Sequence, residues 1–342
     1  MSVLTGRLQL QKRVTWIKNL LLLGSTCFFS IMFIELVVRV FIPHTEIAEW
    51  YQSHPKYNHI LKPNFYQLFH YPNHDAVMTV QTNSLGFREL QLLGNGKTAG
   101  FKVLFLGDSF VFGYGLEVNN RLDSFLHDLA KERNIPLTTV NWGVPGWGTS
   151  HQVLYAEDHL QEESPDVLVL LFCKNDPAND RGLELPTLTN IDSPLYFVKY
   201  CLRRYSHLYR WLLEFCARSR QLVNREGIDT EHAYNISSEE WNHTTSYILQ
   251  LSKIFEDINP EGCILLLAAA PEDIQVKKNL VQIAEKISQL FYIDLIPYVE
   301  DIPYKERVMA WDGHWSPAVH NAAAKAVMDW IDENMQQRLF RQ

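Results

Sequence analysis

The sequence predicts an α/β fold built on a parallel sheet. Two observations carry that expectation. After Gly100, short apolar runs of strand length alternate with amphipathic helical segments, as in repeated β and α units. With 342 residues and 46% hydrophobic side chains, the chain can also bury one large α/β domain and carry a short appendage at either end.

The first eighteen residues hold Arg7, Lys12, Arg13 and Lys18 and no acid. The whole chain is at −8, so the remainder carries −12. An acidic body argues against nucleic-acid binding, which needs a basic surface to neutralise phosphates. Positions 20–34 contain no charge, and 19–42 are long enough to cross a bilayer of about 30 Å. Glu35 and Arg39 lie near one end at i, i+4 spacing, where they can pair or reach the interface. Basic charge before the span predicts a cytoplasmic N-terminus and an extracytoplasmic body, periplasmic in a Gram-negative cell. No small-x-small cleavage site follows, so an uncleaved anchor is expected. The five cysteines show no dense framework and fix no compartment.

Residues 43–98 are rich in His, Pro, Asn and Tyr without sustained periodicity, which predicts a stem and irregular extension. His54, His59, His70 and His74 fit no compact metal motif, and no metal is expected. Strands are predicted at 102–106, 138–142, 166–172, 263–269 and 292–296. Leu122, Phe125, Leu126 and Leu129 repeat as one core-facing helical stripe. An Ala-rich helix begins near Pro317, with proline suited to its first turn. Residues 185–225 interrupt the alternation with Tyr, Leu, Phe and Trp mixed among Lys199, Arg203, Arg204, Arg210, Arg218 and Arg220. This predicts a helical insertion: an amphipathic packed element, a lid, or a surface resting on anionic lipid. The organisation is therefore a 1–18 basic tail, a 19–42 anchor, the 43–98 extension and a 99–342 α/β domain that carries the 185–225 insertion.

Four segments carry the chemistry. Strand 102–106 runs into Gly107-Asp108-Ser109, a turn that exposes a serine hydroxyl at the carboxyl edge of a parallel sheet. Such a hydroxyl needs a neighbouring base to become a nucleophile. The second strand leads into Asn141-Trp142-Gly143-Val144-Pro145-Gly146-Trp147-Gly148, where glycine lets a backbone N–H approach a ligand. The third ends in Cys173-Lys174-Asn175-Asp176, with an amide able to donate. Ahead of the last helix, Asp312-Gly313-His314-Trp315 supplies an imidazole to take the serine proton and a carboxylate to orient it.

In this order the four segments resemble the blocks of the SGNH/GDSL hydrolase family, from about Lys102 to the C-terminal helix. The resemblance implies a flavodoxin-like three-layer α/β/α fold, with the second and third strands flanking the first. It implies Ser109 as nucleophile, His314 as base and Asp312 as its orienting carboxylate. The Ser109 and Gly143 N–H groups and the Asn175 amide would form the oxyanion hole. Many members place two residues between the Asp and the His; the single Gly313 here resembles the variant of membrane-anchored members, as does Asn83-Ser84-Leu85-Gly86-Phe87-Arg88. The latter is expected to act structurally, against the first strand.

The expected activity is serine-dependent hydrolysis of acyl esters on an exported carbohydrate or other envelope component, with no cofactor and no metal. Trp142, Trp147 and Trp315 flank the site and are candidates to stack on a sugar, or to pack in the core. The same residues would serve an O-acetyltransferase working with polysaccharide-assembly proteins, as in relatives linked to alginate acetylation. A lipid-ester substrate and a non-catalytic envelope scaffold complete the alternatives.

Overall fold

The computed structural model describes residues 2–42, 48–71, 76–88, 101–180, 194–224, 236–310 and 313–335. The chain divides into two compact units, one of residues 1–47 and 191–229, the other of residues 48–190 and 230–342.

The first unit contains α1 (Ser2–Phe41), α6 (Pro194–Tyr205) and α7 (His207–Asn224). Within α1 the 27 residues Thr15–Phe41 include an 18-residue stretch of mean hydropathy 2.2 that is almost entirely exposed. At 1.5 Å per residue they measure about 40 Å, more than the roughly 30 Å of bilayer hydrocarbon. This helix is long and apolar enough to span a membrane.

The second unit opens with two antiparallel hairpins, β1 (Tyr51–His54) with β2 (Asn58–Leu61) and β3 (Tyr66–His70) with β4 (Val77–Gln81). In order follow β5 (Phe101–Gly107), α2 (Ser109–Phe112), α3 (Leu122–Glu132), β6 (Leu137–Gly143), α4 (Thr149–Glu163), β7 (Val167–Phe172) and α5 (Asp176–Asp180). After the helices of the first unit come α8 (Ser238–Ile258), β8 (Cys263–Ala268), α9 (Ile274–Ala284), β9 (Leu290–Tyr292), α10 (Ile296–Val299), α11 (Tyr304–Arg307) and α12 (Pro317–Asn334).

Strands β5 to β9 form one sheet in the order β6-β5-β7-β8-β9, and every pairing is parallel. Alternate residues of each strand enter opposite cores. Leu104, Leu106, Leu168, Leu170 and Leu266 join Val153 and Leu160 of α4, Leu251 and Phe255 of α8 and Leu280 of α9. Val103, Phe105, Val169, Leu171 and Leu265 join Leu126 of α3 and Val319, Ala323, Val327 and Ile331 of α12. Burial on both faces explains why these strands read as uninterrupted apolar runs rather than as alternation. The layers and strand order are those of a flavodoxin-like α/β/α fold.

Two local expectations change. The last strand ends at Tyr292 rather than running to 296, because the Asp294 carboxylate accepts the Ile296 N–H and, with Pro297 behind it, starts α10. The stretch expected to be irregular is ordered over 48–71 and 76–88. Trp50, Leu61, Phe69, Met78 and Val80 from its hairpins are buried in the same core as Phe112 and Trp147. Residues 89–100 and 181–193 lie outside the described residues.

Candidate active site

Gly107 ends β5 opposite Gly143 of β6, and Leu106 pairs with Leu170 of β7, so three carboxyl ends converge where the strand order reverses. This is where open parallel sheets place their sites. Asp108 is the N-cap of α2 and accepts the Phe110 N–H at 3.0 Å, which sets Ser109 at the first helical position. No helical carbonyl precedes the N–H of that position.

His314 reaches this point from 205 residues downstream. Met309 and His314 close a turn through the Met309 N–H on the His314 carbonyl at 2.8 Å, Val308 and Trp315 bridge, and Gly313 adopts φ 78° within it. The buried Trp315 indole donates to the Ala269 carbonyl just past β8, which anchors the turn to the sheet edge. His314 Nε2 then lies 2.7 Å from Ser109 Oγ, with the rings of Phe110 and Tyr114 at 4.9 and 5.2 Å from the imidazole. The distance is that of a direct hydrogen bond. Asp312 lies outside the described residues.

Asn175, three residues beyond β7, donates from its amide to Asp108 Oδ2 at 3.1 Å. The second hydrogen of that amide remains for a ligand. Asp108 Oδ1 also accepts from the Cys173 thiol at 3.1 Å, so one buried carboxylate ties the nucleophile turn to the end of β7. Burial and the charges of Asp108 and Asp176 push the Cys173 thiol up, which keeps it S–H. Burial, then Asp108 and Asp180, push the Asp176 carboxyl well above the usual range, while Thr149 donates to its Oδ2 at 3.0 Å. Asp108, Cys173 and Asp176 bring three ligand-type atoms within 4.8 Å. Asp108 accepts from Phe110, Cys173 and Asn175 and Asp176 accepts from Thr149, so within the protein these groups form one hydrogen-bonded cluster.

Gly143 has a different commitment from the one expected. Its N–H donates to Asn141 Oδ1 at 2.9 Å, and Asn141 in turn donates to the Val111 carbonyl at 2.8 Å and to Asp123 at 2.9 Å. A Cβ at Gly143 would meet the Phe112 nitrogen at 2.2 Å, so glycine is required here by close backbone approach. Immediately after it, Val144-Pro145-Gly146-Trp147 form a type II turn, closed by Trp147 N–H on the Val144 carbonyl at 3.1 Å with Gly146 at φ 85°. His59, kept neutral by burial, donates from Nε2 to the Pro145 carbonyl at 2.9 Å. Across that trans peptide the Gly146 N–H points the opposite way, away from His59.

The three tryptophans read as candidates either to stack on a sugar or to pack in the core are buried, at 2%, 0% and 3% exposure for Trp142, Trp147 and Trp315. Trp142 stacks on Phe87, and the Trp147 indole donates to the His59 carbonyl at 2.8 Å. Their faces are taken up by the core. Arg88, given no chemistry from sequence, is fully buried and donates to the Phe112, Gly113 and Leu116 carbonyls at 3.2, 3.0 and 2.5 Å. It thus satisfies the C-terminal carbonyls of α2, the helix that carries Ser109. No single sequence sign marks these residues: Asn141 shares β6 with Thr138 and Thr139, and Arg88 is followed by Glu89.

The search of curated proteins returned no match. Among solved structures, TesA aligns at 12% identity over 68% of this chain and 98% of its own, with a TM-score of 0.43. A family 3 carbohydrate esterase of Clostridium thermocellum aligns at 14% identity over 69% and 98%, with a TM-score of 0.42. A variant of the acetylxylan esterase Axe2 from Geobacillus stearothermophilus aligns at 16% over 68% and 96%, with a TM-score of 0.40. The model of the GDSL-like lipase/acylhydrolase family matches residues 105–322, which takes in Ser109, Asn175 and His314. The chain belongs to that family and is an enzyme acting on ester bonds.

Proposed function

We propose that this protein is a membrane-anchored serine acyl-ester hydrolase whose nucleophile is Ser109 and whose base is His314. The observation that carries the reading is the 2.7 Å separation of His314 Nε2 from Ser109 Oγ at the carboxyl end of β5. In the proposed reaction His314 takes the hydroxyl proton as Ser109 attacks the ester carbonyl, then returns it to the leaving alcohol. Water, deprotonated by the same imidazole, releases the acyl group from Ser109. Asp312, one residue before Gly313, is assigned the orienting role on His314.

The oxyanion would be held by the Ser109 N–H and the free hydrogen of the Asn175 amide, with the glycine turn after β6 as third donor. In that turn Gly143 donates its N–H to Asn141, which favours Gly146 as the supplier. Each such donor contributes about 2.7–4 kcal/mol to the transition state. The basic tail followed by α1 supports a cytoplasmic N-terminus, and with it an ester of an envelope component as substrate.

A fluorophosphonate probe tests the assignment. Labelling of the purified protein is expected to vanish in Ser109→Ala and to fall by orders of magnitude in His314→Ala. A Ser109→Ala protein that still labels would refute the nucleophile.

A further inference from the structure

Glu35 and Arg39 are the two charges of the apolar stretch of α1 beyond Lys18, and the structure shows what they bind. The Glu35 carboxylate accepts the His207 N–H at 2.8 Å, the Leu208 N–H at 2.9 Å and the Ser206 hydroxyl at 2.8 Å. These are the orphan donors at the start of α7. Arg39 donates to the Tyr205 carbonyl, the last of α6, at 2.9 Å, and pairs with Glu35 at 3.2 Å. An anion therefore caps the positive end of one helix and a cation the negative end of the other. The corner between α6 and α7 is pinned to α1 by groups whose burial in lipid would otherwise be costly.

The pin fixes a depth. Glu35 lies six residues before Phe41, about 9 Å from the end of the apolar helix. Amphipathic helices lie at the bilayer boundary with their apolar faces about 5–10 Å deep. Both helices have that character. On α6, Val198, Leu202 and Tyr205 recur at i, i+4, i+7 and are exposed; on α7, Leu212, Leu213 and Phe215 are exposed. At roughly 100° per residue, the positions of Arg203 and Arg204 fall on the far side of the α6 stripe and that of Lys199 on its flank.

Charge names the occupant. Residues 194–224 hold six Lys and Arg against the single acid Glu214, a net +5 in a chain whose total is −8. A second copy of so basic a pair would be repelled, whereas an anionic bilayer surface attracts it. Tyr196, Tyr200, Tyr205, Tyr209 and Trp211 give the same segment the aromatic composition of a membrane interface.

We infer that α6 and α7 form an interfacial membrane element, lying on the bilayer where α1 leaves it, with apolar side chains in the lipid and basic ones on anionic headgroups. The inference rests on the proposed span of α1, and its test separates the two. Nitroxide labels are placed at Leu212→Cys or Phe29→Cys in full-length protein carrying Cys27→Ser, Cys201→Ser and Cys216→Ser. The protein is reconstituted in phosphatidylcholine vesicles with and without phosphatidylglycerol. With anionic lipid, both labels are expected to collide with oxygen severalfold more than with a water-soluble nickel complex. Glu35→Ala, or omission of phosphatidylglycerol, is expected to raise nickel collisions at 212 and leave those at 29 unchanged. Nickel access at 212 while 29 stays in lipid would overturn the interfacial placement, as would dipolar broadening at 212 from a neighbouring copy. Depth at 212 that is indifferent to anionic lipid would overturn the headgroup contact, and nickel access at 29 would overturn the span itself.

Discussion

Asp176 shows how much of this site is decided by single groups that never touch substrate. Its carboxyl is wholly buried beside Asp108, and burial raises its pKa well above the usual carboxylate range. The folded chain keeps a proton that the unfolded chain gives up above about pH 4. Above that pH the native state binds more protons than the unfolded state, so stability falls as pH rises toward the raised pKa. Asn at this position is neutral at every pH and can still accept from Thr149. Asp176→Asn is therefore expected to gain stability over the parent between pH 4 and 8, Tm rising about 2–4 °C for each kcal/mol recovered, and to match it below pH 4. Thermal unfolding across that range measures the difference. Asp180, pushed up to about 6 mainly by burial, has the same sign but ends its contribution near that pH, so it leaves a residual slope only below it.

At the scale of elements, α2 is four residues long and cannot hold its own ends. Its start is set by Asp108, its flank by Asn141 through the Val111 carbonyl, and its end by Arg88, whose Nε and Nη2 also donate to the Thr79 carbonyl of β4 at 2.9 and 2.6 Å. The guanidinium further lies over the Phe112 ring at 5.2 Å. Removing it strands several carbonyls at about 1–3 kcal/mol each. Arg88→Ala is expected to lower stability by about 3 kcal/mol or more, and Arg88→Lys by less, because an ammonium cannot reproduce the planar fork. Urea midpoints of the detergent-solubilised protein check both. The hairpins that deliver Arg88 were weakly legible: Tyr66-Gln67-Leu68-Phe69-His70 and Val77-Met78-Thr79-Val80-Gln81 are rich in strand-forming residues, but the adjacent apolar pairs Leu68-Phe69 and Val77-Met78 break any strict alternation. Abundant His, Pro and Asn around them masked the pattern, and His59 proved to be a clamp on the glycine turn.

At the scale of the molecule, charge is unevenly placed: the tail carries +4 and the 194–224 segment +5, against a total of −8. If the N-terminus is cytoplasmic, alkaline phosphatase fused after Gln342 is expected to be active in cells and green fluorescent protein at the same point dark. The reverse pattern would invert the topology.

The sequence by itself determined the layered α/β class, the strand positions within a few residues, the apolar helix of α1 and the residue types for acyl transfer. These are local properties: periodicity, and motifs of five to nine adjacent residues at strand ends. Only the tertiary structure decided that the Gly143 N–H is given to Asn141 and that Trp142, Trp147 and Trp315 are packed in the core. It also decided what Glu35, Asn141 and Arg88 are for. Each of those depends on a hydrogen bond or contact between segments that chain folding brings together. Gly143 and Gly146 look alike in sequence until Asn141 and His59 each take one face of the turn. Ser109 and His314 can be proposed from sequence because their chemistry is written in the side chain, whereas a backbone N–H is the same at every residue and is distinguished only by what it faces.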